Sequence, residues 1–206
     1  MNKNSVKSTV LFLFLMLTYG NFLCGQKTVL QDSPFKTEIV NFKTLSDIQL
    51  RTNLRTQKEC KFFRVRIRLR SKTGEKVCFD PNPLSLILNS AKQRVRPSSF
   101  EYPILRFSDG VNRLLMEDDR KITTWAGYKY DPSIKDSFEE YTYMDYENIT
   151  YPLQWHYLGY KTVFRYYFEI KCFRKRKADM IFVVPENVTS GSLYYGNQKI
   201  EDLFFE

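Results

Sequence analysis

Phe62-Phe63-Arg64-Val65-Arg66-Ile67-Arg68-Leu69-Arg70 is the stretch that decides the fold. Phe63, Val65, Ile67 and Leu69 alternate with Arg64, Arg66, Arg68 and Arg70. A period of two belongs to a β-strand, whose successive side chains point to opposite faces. One face of this strand is therefore buried and the other is a row of guanidinium groups. A strand central to a parallel sheet with both faces covered reads as continuously apolar, so the pattern predicts an antiparallel sheet with one wet face.

Neighbouring segments extend this picture. Ser71-Lys72-Thr73-Gly74-Glu75-Lys76 reads as a glycine-containing turn, after which Val77-Cys78-Phe79 resumes an extended chain. Asp80-Pro81-Asn82-Pro83 interrupts it, because proline cannot donate to a ladder, and Leu84 to Leu88 is the next strand. A second long alternation runs from Val163 to Phe173, with Phe164, Tyr166, Phe168, Ile170 and Cys172 on its apolar face. Arg174-Lys175-Arg176-Lys177 then reads as a solvated turn. Met180 to Val184 is a short apolar strand stopped by Pro185, and a closing hairpin is expected around Gly196-Asn197. Phe35 to Phe42 and Ile48 to Leu54 are further strand candidates.

Composition agrees with a β protein: 17 Phe and 14 Tyr suit pleated, half-buried surfaces, and only eight Gly and eight Pro exclude collagen-like and disordered classes. Residues 97–160 read differently, as one long insertion, partly helical or irregular. Ser108 or Asp109 could cap a helix through Met116, and Ser133 another carrying Ile134, Phe138 and Tyr141 on one face.

At the N-terminus, Lys3 and Lys7 precede the apolar run Val10 to Leu17, the layout of a secretory signal peptide over residues 1–25. The run is shorter than the roughly 20 residues needed to span a bilayer, so no membrane span is expected after cleavage. The remainder, 26–206, is expected to be a single domain that is secreted or periplasmic. Cleavage after Gly20 leaves four cysteines and cleavage after Gly25 leaves three; anchoring through a lipidated Cys24 is a third reading. Losing Lys3 and Lys7 takes the formal charge from +9 to +7. Ten basic residues lie between Arg51 and Lys76 and seven between Lys161 and Lys177, whereas Asp131 to Glu147 carries six carboxylates.

The order of elements supports a comparison. Val65-Arg66-Ile67-Arg68-Leu69, then Leu84-Ser85-Leu86-Ile87-Leu88, then Ile181-Phe182-Val183-Val184-Pro185 before Ser192-Leu193-Tyr194-Tyr195 resembles the immunoglobulin-like domains of unknown function in bacterial exported proteins and lipoproteins. The likeness covers roughly residues 36–96 and 161–203. It implies an antiparallel immunoglobulin-like β-sandwich serving as a surface or envelope module. Fold resemblance alone does not assign a function.

Candidate chemistry is sparse. His156 is the only histidine, which excludes the commonest zinc geometries and leaves a nucleophile little choice of base. No catalytic residue, cofactor or metal is expected. Four arginines on one face (Arg64, Arg66, Arg68, Arg70) can bind phosphate or sulfate groups, although cross-strand carboxylates or solvent satisfy them equally. Aromatics are not interleaved with them, which disfavours nucleic acid. Trp125, Tyr128, Tyr143 and Trp155 could stack on sugars or simply pack the insertion.

The cysteines constrain the fold. If Lys61 to Arg70 and Val77 onward form a tight hairpin, Cys78 lies about 30 Å from Cys60 at the rise of a strand. A disulfide needs Cα atoms within about 7 Å, so that hairpin and a Cys60–Cys78 bridge exclude each other. Cys172 is either a buried thiol or the partner of Cys78. The function expected is an exported, non-enzymatic module that binds a protein or glycan at the envelope. A carbohydrate-active protein using the aromatic and acidic insertion is one alternative, and polyanion binding by the arginine strand is another.

Overall fold

The structure, a computed structural model, describes residues 27–29, 33–45, 59–102, 109–110, 113–115, 129–143, 145–156, 160–163 and 165–205. In chain order the strands are β1 (Lys27–Val29), β2 (Phe35–Leu45), β3 (Cys60–Ser71), β4 (Val77–Phe79), β5 (Leu84–Leu88) and β6 (Gln93–Val95). Next come β7 (Ser99–Tyr102), β8 (Asp109–Gly110), β9 (Arg113–Leu115), β10 (Lys129–Tyr130), β11 (Glu147–Ile149) and β12 (Leu153–His156). The last are β13 (Tyr160–Val163), β14 (Tyr166–Phe168), β15 (Lys171–Phe173), β16 (Lys175–Pro185), β17 (Ser190–Tyr195) and β18 (Gln198–Phe204). The described residues are mostly strand and include no helix.

The larger sheet has the order β1-β2-β3-β16-β7-β8, all antiparallel. The arginine-rich strand β3 is central to it, paired along its length with β2 and β16. Phe63, Val65, Ile67 and Leu69 are fully buried, as the alternation requires, and meet Ala178, Met180, Phe182 and Val184 of β16 in the core. The second sheet, β11-β6-β5-β17-β18, is antiparallel except where β11 runs parallel to β6. Leu84, Leu86, Leu88, Leu193 and Leu203 carry its apolar face into the same core. The rings of Phe63 and Phe205, from opposite sheets, lie 4.1 Å apart between centroids.

β17 and β18 form the expected hairpin, with Tyr195 opposite Gln198 and Gly196-Asn197 as its loop. Gly196 has φ +58°, the left-handed value a two-residue hairpin loop needs at its first position, and a Cβ there would lie 2.8 Å from the ring of Tyr141.

Four expectations are corrected. The segment from Lys61 to Arg70 does not form a hairpin with Val77–Phe79, because both edges of β3 are already taken; β4 pairs instead with β15. The alternation from Val163 to Phe173 is not one strand. It is divided among β13, β14 and β15, which pair with β12, β9 and β4 respectively. Tyr166, Tyr167 and Phe168 are all buried, which no one-faced strand permits, and the Asn82 side chain stands in for a strand partner by bonding both the N–H (2.7 Å) and the C=O (2.9 Å) of Phe168. Arg174-Lys175-Arg176-Lys177 is not a turn: Lys175 onward is the start of β16, with its cations still exposed.

The helical character expected of 97–160 is not seen among the described residues. Ser99–Tyr102 pairs with β16 in the large sheet, and Asp109–Gly110 and Arg113–Leu115 are strands. Asp131 and Asp136 close tight turns by accepting the N–H groups of Ser133 and Phe138, at 3.0 and 3.1 Å, in place of a capped helix. The strand candidate Ile48 to Leu54 and the leader, with Cys24, lie outside the described residues.

Candidate anion-binding face

β2 and β16 pair with β3 along its length, with one register shift in β2 between Ile39 and Asn41, so the outward face of the large sheet is organised in rows across the strands. Leu45, Phe62 and Val183 form the row at one end, and Ile181 follows; with Cys60 and Tyr151 they make a small apolar cluster outside the main core. Arg66 comes next, opposite Asp179. Its Nε and Nη2 donate to the two carboxylate oxygens, each at 2.6 Å, and this pairing holds the guanidinium above its ordinary pKa. Arg68 follows, its Nη1 donating to both oxygens of Glu38 at 2.9 Å.

The last row has no such compensation. Lys36, Arg70 and Lys175 stand directly opposite one another on three adjacent strands, and Lys177 flanks Arg68 in the row before. All four are exposed, and among the described residues none is ion-paired. Strands lie about 4.8 Å apart, so the three charges of the row fall within roughly 10 Å. Like charges directly opposite in an antiparallel pair disfavour it. Of the four predicted arginines, Arg66 and Arg68 are thus committed to carboxylates. Arg64 is half-buried between Lys43 and Ile181, and Arg70 alone joins the uncompensated row. Lys36, Lys175 and Lys177 were missed in the sequence, since only strand register reveals that they flank Arg70.

The disulfide joins Cys78 and Cys172, directly opposite each other on β4 and β15. It fixes the base from which Arg174 and β16 depart. Cys60 is bridged to no described residue, and burial raises its thiol pKa. Trp125 and Tyr128 lie outside the described residues, and Trp155 and His156 belong to β12, of whose side chains nothing is described. Tyr143 packs edge-on against Tyr194 (5.1 Å) and Tyr146 (6.1 Å), and its hydroxyl donates to the carbonyl of Asn197. Among the acidic candidates, Glu140 pairs with Lys135 and Glu139 accepts from Asn148.

Two further arginines were not legible at all. Arg94 and Arg96, on and just beyond β6, are 0% and 1% exposed. Their guanidinium carbons lie 4.1 and 4.4 Å from the centroid of the fully buried Phe138 ring. Arg94 donates to Ser85 Oγ (3.2 Å) and to the carbonyl of Phe138 (2.8 Å); Arg96 bonds Asp136 and the carbonyl of Tyr166. Burial pushes Arg94 down to about 10. This pair fastens the 131–143 segment to the second sheet, so its role is structural.

Burial raises three tyrosines above their ordinary range: Tyr102, Tyr143 and, to about 12, Tyr151. Unfolded, they ionise near pH 10; folded, they hold their protons longer. The native state then binds more protons than the unfolded one, so stability present below pH 10 is lost as pH rises toward 12. Alkaline titration followed by tyrosinate absorbance and circular dichroism should show a late-ionising class of tyrosines whose ionisation coincides with loss of β signal. A single class near pH 10 with the fold intact would contradict this.

Comparison with protein-family models, curated proteins and solved structures found no match for this chain. Among the described residues no helix is long and apolar enough to cross a membrane, and the disulfide is consistent with an extracellular or periplasmic protein.

Proposed function

We propose that the chain is an exported, non-enzymatic binding module on an immunoglobulin-like β-sandwich, engaging an anionic partner at the envelope or outside the cell. The observation that carries this reading is the row Lys36, Arg70 and Lys175, three like charges in direct opposition that the chain's own carboxylates leave uncompensated among the described residues. A sheet that neutralises Arg66 and Arg68 by register but not Arg70 keeps that end available to an external anion. For the glycan-stacking alternative the described ring, Tyr143, is packed edge-on by Tyr194 and Tyr146 with its hydroxyl bonded to Asn197, so the cationic row has the better support.

Elution from phosphocellulose tests the proposal. The Lys175→Glu/Lys177→Glu variant should elute at clearly lower salt than Lys92→Glu/Lys199→Glu, which changes net charge equally on the second-sheet side. Equal elution of the two would reject the face as a site, leaving only the general basicity of the chain.

A further inference from the structure

Resting on that reading, we infer that the ligand of the cationic row is an unbranched polysaccharide carrying sulfate or phosphate groups, lying across the strands over Lys36, Arg70 and Lys175. Three features of the face select this class. It is an open sheet surface, and its charges are spaced about 4.8 Å across strands and about 7 Å along them, which suits a chain bearing a charge on successive units.

On β2, β3 and β16 the outward positions of this half of the face are Lys36, Glu38, Asn41, Arg66, Arg68, Arg70, Lys175, Lys177 and Asp179, with Glu101 of β7 opposite Asp179, and none of them is aromatic or apolar. Single-stranded nucleic acid is held by bases stacking on rings between the cations, and a membrane surface by apolar side chains entering the headgroup layer. Neither contact is offered here. An acidic peptide takes an apolar anchor or an open strand edge. At the row β3 is paired on both edges, whereas β16 pairs β3 there and meets β7 only from Asp179 to Ile181, so a peptide would have to add as a strand beside β16 and away from Lys36; the apolar cluster of Phe62, Ile181 and Val183 lies at the far end, buried under Tyr151. Across all three strands the row itself offers charge and spacing, and titration with polyglutamate separates this from strand addition at β16. Arg70 supplies a planar fork able to grip one sulfate or phosphate through two bonds, flanked by two point charges on flexible stems.

Binding in solution decides the matter. The full mature chain would be titrated with a size-defined heparin fragment, polyglutamate, oligo-dT and vesicles of phosphatidylglycerol at one ionic strength. Two variants would run alongside: Lys36→Gln/Arg70→Gln/Lys175→Gln, and a charge-matched control, Lys92→Gln/Lys135→Gln/Lys199→Gln. All six positions are exposed, and circular dichroism would confirm that both variants fold.

The expected result is tightest binding to the heparin fragment, weakened about tenfold or more in the first variant, with the control much less affected. The salt slope should also fall as the three charges are removed. Equal weakening by both variants would overturn the location. Polyglutamate, oligo-dT or vesicles binding as tightly as heparin, with the same dependence on the row, would overturn the polysaccharide class while leaving the anionic-partner reading intact. Absence of binding to all four probes would overturn both.

Discussion

Replacing Cys78 and Cys172 together by serine is expected to lower the stability of the folded chain by about 4–5 kcal/mol. The bridge closes a loop of 94 residues, and in the chain-entropy account a loop near that length removes about that much freedom from the unfolded state. For a domain of this size the midpoint of thermal unfolding should drop by about 10–20 °C. The loss should be concentrated where the bridge acts. β4 and β15 are three residues each, too short to hold their own pairing, and they carry Phe79 and Phe173 into the core against Phe35. Thermal unfolding with and without reductant checks this: the oxidised wild type should exceed the double variant by that margin, and the reduced wild type should match the variant. A double variant within about 1 kcal/mol of wild type would show that the packing of Phe35, Phe79 and Phe173 holds this corner unaided.

Phe138→Ala is the other large effect, expected at about 3–5 kcal/mol, the range for deleting a fully buried aromatic ring. Its ring is fully buried and covers two guanidinium groups, so the truncation leaves a void against two cations. The cation–π contacts add to the loss because these cations are desolvated. Arg94 Nη2 and Arg96 Nε have no hydrogen-bond partner among the described residues, and opening the site lets water reach them, which offsets part of the cost. Amide hydrogen exchange in the 131–143 segment should rise far more than in β3 or β16. Uniform loss of protection would mean that this segment is part of the global folding unit and not a separately fastened strap.

These two centres differ in how far they can be read from the chain. Cys78 and Cys172 could be named as possible partners because each sits in a segment of extended character, but the hairpin that would have set Cys60 apart from Cys78 is not formed. The pairing that brings them together, β4 with β15, could not be seen, because the alternation from Val163 to Phe173 conceals breaks between strands, and the Asn82 side chain that bonds the backbone of Phe168 at the end of β14 comes from 86 residues away. Arg94, Arg96 and Phe138 left no local signal. A buried arginine looks like an exposed one until the ring and the carbonyls that enclose it are brought from 40 or more residues away.

What the sequence by itself determined is the strand Phe62 to Arg70, the antiparallel character of its sheet and the division of its residues between core and water. Side-chain alternation is a local property of the extended backbone, so nine residues suffice to state it. What only the tertiary structure decided is which of its charges are spent and which are free. Asp179 and Glu38 neutralise Arg66 and Arg68, whereas Arg70 meets Lys36 and Lys175, because charges on different strands become neighbours only through register. Register is fixed by burying the inward faces of β2, β3 and β16 together, and one residue of slip would turn every one of these charges to the opposite face.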